Sequence, residues 1–341
     1  MVKKSIILSV ISLIAMFLFV PSVAAGDKDD AIMKKFTQLG FSEEEIENMP
    51  QEAIDRLGGS EGELVSRSER YFKVTINKLT NEVQEMVEFD KETALQESAK
   101  LNAKEKELQE KINRLEMQKQ EIITKSKAIN NSAHQDAEKS LDEIDKQLIQ
   151  LQYAEQEYES SGWIGLTGYV SHISGDEYAF KNSYEWLNGP AVLLKDVIGI
   201  SHSEDWSIIP NSLVAKAEMD IYWNGYKDDY GGCDCTSRKS IENDYYYSTP
   251  HQGPNGMAVN FNLQPTWVNS RYEDGRNYEG YIAYRVDKAN TSVVESNIYG
   301  SYSHQIVVAS PSISIYPGGI GVTPALSYSD ADTVNVQFDV Q

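Results

Sequence analysis

The sequence predicts a multidomain protein of mixed α and β type. An N-terminal helical region with a long antiparallel coiled-coil hairpin is expected to precede a C-terminal, all-β antiparallel sandwich. Three observations in the 341 residues predict this division. Seventeen of the 20 tyrosines follow residue 160, and no proline occurs between Pro50 and Pro190. Apolar residues also recur at helical spacing in the first half, whereas they alternate with polar residues in the second.

Residues 1–25 have the layout of a secretory signal peptide. Lys3 and Lys4 form a short basic head, residues 5–20 are an apolar run, and residues 23–25 offer small side chains for cleavage. The apolar run is shorter than the ~20 residues that span a bilayer. We therefore expect a secreted, extracellular protein, with a retained membrane anchor as the alternative.

Residues 26–60 predict a small helical unit. Ile32 and Phe36 share one helical face, and Ser42 can cap the next helix with Glu45 as its capping-box partner. Such a three-helix unit could bind a partner or serve only as a packing or leader segment.

Residues 61–160 predict a coiled-coil helical hairpin. One apolar column recurs at every seventh residue, as a coiled-coil seam requires: Val87, Ala94, Leu101, Leu108, Leu115, Ile122 and Ile129. The column is interrupted at Asn130 and Asn131, and the spacing resumes at Leu141. This predicts two antiparallel helices whose connection lies at the asparagines. One continuous helix in an intermolecular coiled coil is the alternative, so oligomerisation through this region stays open.

Residues 161–190 are predicted to be a Gly-rich linker, and residues 191–341 an antiparallel β-sandwich. Five runs of the second region alternate apolar with polar residues, which indicates strands with one dry and one solvated face. Their apolar members lie at 215–223, 257–263, 282–286, 313–315 and 334–340. At least seven strands are expected, and the last one is expected to be integral to the fold.

Four segments of the β region carry a resemblance: NGMAVNFNL, YEGYIAYRV, NIYGSYSHQ and SISIYPGGIGVTPALSYSDADTVNVQF. Together they resemble the C-terminal region of uncharacterised exported proteins from spore-forming Gram-positive bacteria. The resemblance covers residues from about 195 to the end. It implies an exported β domain, and it brings no activity and no functional residues.

The solvated strand faces offer three candidate ligand-binding residues. Tyr222, Tyr281 and Tyr246 could each stack on a sugar ring. Tyrosine is also common on half-buried sheets, so a purely structural role is the alternative for each.

Cys233 and Cys235 are the only two cysteines. Two cysteines without nearby histidines are too few for a structural zinc site, and an exported protein favours oxidation. We therefore predict a Cys233–Cys235 disulfide in an exposed turn, with an intermolecular bond as the alternative. The ring would be so small that it contributes at most ~1.5 kcal/mol, and strain could cancel this.

The composition is strongly acidic, with 31 lysines and arginines, 52 aspartates and glutamates, and a formal net charge of −21. Such a surface repels phosphate backbones, so nucleic-acid binding is not expected. No cofactor and no metal site are predicted. Asp228, Asp229 and Asp234 form only a loose Ca²⁺ pattern without EF-hand spacing, and a solvated acidic loop is the alternative.

No catalytic motif is found. The sequence lacks H-E-x-x-H, G-x-S-x-G, a phosphate loop and a dinucleotide fingerprint. His202 near Glu204 and His304 near Ser303 are arrangements that arise by chance, and paired carboxylates cannot be selected among 52 acids.

The sequence therefore predicts an exported, non-enzymatic protein with a helical stalk and a β-sandwich that binds a glycan, a cell surface or another protein. A membrane-active, pore-forming-like protein and a cell-wall or polysaccharide hydrolase are the two alternatives.

Overall fold

The computed structural model describes residues 30–58, 62–77, 82–127, 134–155, 159–190, 195–223, 226–227, 233–234, 238–263, 273–304, 312–323 and 332–341. Strands account for 51% of the structure and helices for 31%, so the protein is mostly β. The predicted fold class, a helical region followed by a separate β domain, is therefore wrong. The signal peptide and the loop with Asp228 and Asp229 lie outside the described residues.

Five helices occur in these ranges: α1 (Asp30–Gln38), α2 (Glu43–Glu47), α3 (Gln51–Leu57), α4 (Lys91–Lys127) and α5 (His134–Glu155). The strands before residue 230 are β1 (Glu63–Asn77), β2 (Glu82–Phe89), β3 (Glu159–Ser174), β4 (Glu177–Trp186), β5 (Lys195–His202), β6 (Trp206–Ile208), β7 (Val214–Trp223) and β8 (Tyr226–Lys227). The later strands are β9 (Cys233–Asp234), β10 (Arg238–Tyr246), β11 (His251–Gly253), β12 (Gly256–Asn262), β13 (Glu273–Lys288), β14 (Glu295–Ser303), β15 (Ser312–Tyr316), β16 (Gly319–Thr323) and β17 (Asp332–Asp339).

The strands form two main antiparallel sheets. The large sheet has the order β10-β7-β13-β4-β3-β1-β2, with β6 pairing along part of β13, and the small sheet has the order β11-β12-β5-β14-β17. Two strand pairs, β15-β16 and β8-β9, complete the described sheets. The strands expected near Ala215, Met257, Ile282, Ile313 and Val334 are confirmed as β7, β12, β13, β15 and β17.

The main core lies between the two sheets. Alternate residues of β4 are buried in it: Tyr178, Phe180, Tyr184 and Trp186. The rings of the first two contact Phe338 of β17, and the rings of the last two contact Tyr302 of β14. Asn182 is also buried in the core, where its amide nitrogen donates hydrogen bonds to the backbone oxygens of Gly199 at 3.2 Å and Ser301 at 3.3 Å on the small sheet. Because both acceptors belong to the small sheet, Asn182 fixes the position of one sheet on the other.

The predicted coiled-coil hairpin over 61–160 is wrong because the first part of this region consists of strands. β1 and β2 pair with each other, and β1 pairs with β3 over its whole length. In β1, Phe72, Val74 and Ile76 are buried in the core with the period of two that a strand requires. The step of four from Phe72 to Ile76 fits one face of a strand as well as one face of a helix, and this ambiguity produced the error.

Helices α4 and α5 lie between two strands of the large sheet in chain order. Ala94 in the first turn of α4 is buried against Tyr71 and Trp163 of the sheet. Farther along, Lys119 Nζ lies 2.5 Å from Asp145 Oδ1 on α5. The two helices are therefore an insertion between β2 and β3 and do not form a separate N-terminal region. The expected hairpin tip at Asn130 and Asn131 lies outside the described residues.

The predicted linker at 161–190 is also wrong, because these residues form β3 and β4 near the middle of the large sheet. The glycines of β3 provide space and not flexibility. A Cβ atom on Gly165 would lie 2.9 Å from Cε1 of Tyr71, and one on Gly168 would lie 2.5 Å from Cγ2 of Val336. Both glycines allow large neighbours to pack directly on the strand.

The helical unit α1–α3 is present and covers part of the outer face of the large sheet. The capping box at its second helix is confirmed, since Glu45 N donates to Ser42 Oγ at 3.1 Å and Ser42 N donates to Glu45 Oε2 at 2.7 Å. A second apolar cluster joins this unit to the sheet, with Phe36, Ile46 and Ile54 among its buried members. The outer face is therefore partly buried, which determines the site described next.

Candidate functional site

A cleft lies on the outer face of the large sheet, between the α1–α3 unit and the first turns of α4. It consists of two adjoining cavities of about 490 and 520 Å³. They share five lining residues: Leu95, Glu185, Leu187, Glu218 and Glu279. We call these two cavities together the outer-face cleft. Their combined size suits a small or medium ligand.

Three glutamates form a row across three neighbouring strands on the floor of this cleft. Glu279 of β13 is directly opposite Glu218 of β7 on one side and Glu185 of β4 on the other. Directly opposite residues have Cβ atoms about 5 Å apart, and like charges in that arrangement are destabilising. We call Glu218, Glu279 and Glu185 the glutamate row. Its cost in stability makes the row a candidate for function.

The three members of the glutamate row differ in their surroundings. Glu218 has 7% of its side chain exposed and forms an ion pair with Lys216 Nζ, whose side chain is 2% exposed. Glu279 is half-buried, and Glu185 is exposed. Burial raises the pKa of Glu279 to about 7, and the negative charge of Glu218 adds to this, while Lys216 opposes it. A carboxyl group that is protonated near neutral pH therefore lies beside an ion-paired one.

The basic side chains of the cleft are each paired with a carboxylate. Lys181 Nζ donates to Glu45 Oε2 at 2.7 Å and to the backbone oxygen of Gly40 at 2.8 Å. Only 3% of the Lys181 side chain is exposed, and burial lowers its pKa. Lys216 pairs with Glu218, while Lys91 and Arg67 both pair with Glu69. Within the described part of the chain, Glu185 and Glu279 form no ion pair.

A β-bulge lies beside the glutamate row. The register between β13 and β7 shifts between Arg276 and Glu279, and Asn277 in the bulge has a φ of 53°. Its amide nitrogen donates to Asp220 Oδ2 at 2.5 Å. Bulges often redirect side chains next to functional sites, and here the bulge ends immediately before Glu279. Asp220 and Asn277 consequently line the second cavity.

The structure places the three predicted tyrosines differently from one another. Tyr281 was expected on a solvated face, and this is wrong: it is 0% exposed, and its ring packs edge-on against Phe41 at 5.1 Å. Its ring is therefore not accessible for stacking on a sugar. Tyr246 is half-buried against the main core, and burial raises its pKa to about 12. Tyr222 lies in β7, directly opposite Lys239 of β10, and sugar binding by Tyr222 and Tyr246 stays a prediction.

The cysteine prediction is untested. Cys233 begins β9, whereas Cys235 lies outside the described residues. The Cys233–Cys235 disulfide therefore stays a prediction.

The two histidines considered for catalysis lie in the protein interior. His304 Nδ1 is 2.9 Å from both carboxylate oxygens of Asp196, and Tyr302 donates a short hydrogen bond to the same carboxylate. Asp196 is 0% exposed, and Tyr302 and His304 are each 1% exposed. His202 is also fully buried, and burial lowers its pKa. Both histidines are thus parts of the sandwich core.

Two further findings limit the chemistry of the described ranges. No three His, Cys, Asp or Glu side chains in these ranges are grouped so that they could hold a metal ion. None of the described helices is long and apolar enough to span a bilayer.

The fold and the cleft together define a two-layer antiparallel β protein with a charged cleft on the outer face of its larger sheet. No protein-family model matches the chain, and a search of the curated proteins found no match.

Proposed function

We propose that this protein is an exported binding protein whose outer-face cleft holds a carbohydrate, either neutral or carrying an amine. The observation that carries the proposal is the imbalance of charge within the cleft. The four basic side chains of the first cavity are all ion-paired, whereas Glu185 and Glu279 have no ion-pair partner among the described residues. The described residues of the cleft therefore offer carboxyl oxygens to a ligand and no unpaired positive charge.

Hydroxyl groups are the complementary chemistry for these carboxyl oxygens. A carboxylate accepts hydrogen bonds through both oxygens, and a protonated carboxyl group such as that of Glu279 near neutral pH also donates one. A sugar supplies several hydroxyl groups on one ring, so it can bind without bringing a charge that must be balanced. An anionic ligand would be repelled by the acids.

The walls of the cleft supply the apolar surface that a sugar ring requires. Leu64 is 40% exposed and Leu95 is 44% exposed, and both line the first cavity together with the ring of Tyr71. An apolar wall above a polar floor matches the two kinds of surface that a pyranose ring presents. The signal-peptide layout of residues 1–25 supports a place outside the cell, where polysaccharides are abundant.

Binding to polysaccharides tests the proposal. The exported chain would be incubated with insoluble chitin, cellulose, xylan and purified bacterial cell wall, and soluble fragments of any retained polymer would be titrated by calorimetry. Glu185→Lys should weaken the affinity at least about tenfold, because a lysine would remove an acceptor and form a competing ion pair with Glu279. Glu204→Lys is the matched control, since Glu204 is exposed in a turn and does not line the cleft. Failure of the wild-type chain to bind any of these polymers, or equal loss in both variants, would refute the proposal.

A further inference from the structure

We propose that Glu218 and Glu279 are the nucleophile and the acid/base of a glycosidic-bond hydrolysis that retains the anomeric configuration. This inference rests on the carbohydrate cleft proposed above and adds a reaction to it. It assigns catalytic residues to a chain whose sequence contains no catalytic motif.

The spacing of the two residues fits a retaining mechanism. Glu218 and Glu279 are directly opposite each other on β7 and β13, and both line both cavities of the cleft. Directly opposite residues on antiparallel strands have Cβ atoms about 5 Å apart. Retaining glycosidases place their two carboxyl groups about 5 Å apart, whereas inverting enzymes need a wider gap for a water molecule. Each glutamate carries its carboxyl group two bonds beyond Cβ on the same face of the sheet, so the two carboxyl groups can come as close as the retaining mechanism requires.

The two carboxyl groups have different partners. A nucleophile must be an ionised carboxylate, and Lys216 places a positive charge against Glu218. The acid must hold a proton, and Glu279 lies between the negative charges of Glu218 and Glu185 without an ion-pair partner in the described ranges. A raised pKa of about 7 agrees with this role. Two carboxyl groups in contrasting environments are the arrangement that acid and nucleophile require.

Glu185 is the other candidate for the nucleophile, since it also lies directly opposite Glu279. It is exposed, and no basic side chain in the described part of the chain forms an ion pair with it. We therefore assign Glu185 to substrate binding and Glu218 to nucleophilic attack.

The reaction balances with water as the only co-reactant. The Glu218 carboxylate attacks the anomeric carbon and forms an ester with the sugar, while the glycosidic C–O bond breaks and Glu279 gives its proton to the departing oxygen. Glu279, now ionised, takes a proton from a water molecule that attacks the same carbon. The ester bond breaks, the sugar leaves with the anomeric configuration it had, and both carboxyl groups return to their starting states.

Aryl glycosides separate the two roles. A panel of 2,4-dinitrophenyl and 4-nitrophenyl glycosides of glucose, xylose, galactose and N-acetylglucosamine, in both anomeric forms, would be assayed by release of the phenol. Glu218→Gln should lose about a thousandfold in turnover with both leaving groups. Glu279→Gln should lose much more with the 4-nitrophenyl substrate, because the dinitrophenolate leaves without a proton. Glu204→Gln is the matched control and should react like the wild type.

Two readouts go beyond loss of activity. Azide should restore turnover to Glu218→Ala and yield a glycosyl azide of inverted configuration, which only removal of a nucleophile explains. The value of kcat/KM should fall above about pH 7, where Glu279 loses its proton. The charged groups that face Glu279 are Glu218 and Lys216 of β7, Lys181 and Glu185 of β4, and Glu45 of α2. Thermal unfolding of every variant shows whether it is folded.

The outcomes separate this inference from the proposed function. Binding of a polysaccharide with no turnover of any aryl glycoside or of the bound polymer would refute the hydrolysis and leave the binding proposal standing. Turnover by folded Glu218→Gln at the wild-type rate would also refute the assignment. Absence of binding to every polymer would refute the proposed function, on which this inference rests.

Discussion

The replacement Glu279→Gln tests the electrostatics of the glutamate row through stability alone, without any ligand. Burial and the neighbouring Glu218 raise the pKa of Glu279 from 4.5 to about 7 in the folded protein. Between pH 4.5 and 7 the folded state therefore binds more protons than the unfolded state at this residue. Under proton linkage, the free energy of unfolding then decreases as the pH rises through this window.

The size of this effect follows from the two pKa values. The difference between 4.5 and about 7 corresponds to at most about 3 kcal/mol, and partial exposure of Glu279 reduces this to ~2 kcal/mol. The stabilising contribution of the protonated form is complete below pH 4.5 and is lost as the pH rises through about 7. Glutamine has nearly the same shape and does not titrate, so Glu279→Gln should lack this loss.

The assay is urea unfolding of the wild type and Glu279→Gln from pH 4.5 to 8.5, followed by tryptophan fluorescence. The variant should gain ~2 kcal/mol relative to the wild type between the two ends of this range. Glu204→Gln, which removes an exposed carboxylate elsewhere, should follow the wild type. Parallel curves for wild type and Glu279→Gln would show that the pKa of Glu279 is the same in the folded and unfolded states and would remove its proposed role as a proton donor.

Three further predictions concern the fold. Lys181→Met should lower the free energy of unfolding in urea by ~3 kcal/mol, because it leaves the half-buried Glu45 carboxylate without its partner. Adding Glu45→Gln should restore most of this loss. Additive losses in the double variant would show that the two residues are not coupled. Gly168→Ala should lower the free energy of unfolding by ~1–3 kcal/mol, since a Cβ there would lie 2.5 Å from Cγ2 of Val336 in β17. Gly189→Ala is the control: a Cβ there meets open space, so the free energy of unfolding should fall by less than ~0.5 kcal/mol. Deletion of residues 332–341 removes β17 and should abolish cooperative thermal unfolding, and a retained sharp transition would contradict this.

The strands of the second half could be predicted because their dry faces are apolar. In β7, Ala215, Ala217, Met219 and Ile221 all contribute to the main core, so the alternation is uninterrupted. In β1 the same signal is weakened where the strand crosses β17. There Ser66 Oγ donates to Gln337 O at 2.8 Å, and Arg70 donates a short hydrogen bond to the Thr333 backbone oxygen. Ser66 and Arg70 thus occupy positions where an alternating strand pattern would have apolar residues. Their hydrogen-bond partners in β17 cannot be identified from spacing in the sequence.

The glycines of β3 were misinterpreted for a related reason. Gly165 and Gly168 look like linker residues in a sequence, because the pattern contains no large side chain at those positions. The structure fills the same space with Tyr71 and Val336, which are about 100 and 170 residues away in the chain. Complementarity between a glycine and a distant large residue is a property of the folded sheet.

The glutamate row was missed because its members are separated in sequence. Glu185, Glu218 and Glu279 come together only through the pairing of β4, β13 and β7. One signal was present in the sequence: the polar face of β7 carries Lys216, Glu218 and Asp220 at alternate positions. Three charges on one strand face, between fully apolar neighbours, indicate a face that is either solvated or functional. The sequence could not decide between these, because the α1–α3 unit and α4 that enclose the face lie far away in the chain.

The charges on the outer face of the large sheet are difficult to explain by stability. Lys181 with Glu45 and Lys216 with Glu218 are two nearly buried ion pairs, and apolar residues of similar volume commonly stabilise a protein more than such pairs do. With Glu279 protonated, the charges of the two ion pairs cancel, and the exposed Glu185 beside Glu279 is the unpaired acid of the glutamate row. Ionisation of Glu279 adds one uncompensated negative charge at the floor of an open cleft. A ligand that takes the proton of Glu279 would change the charge at this residue. In the proposed hydrolysis, the two ion pairs would hold the neighbouring groups in position while Glu279 alone loses and regains a proton, as proton transfer to a bound substrate requires.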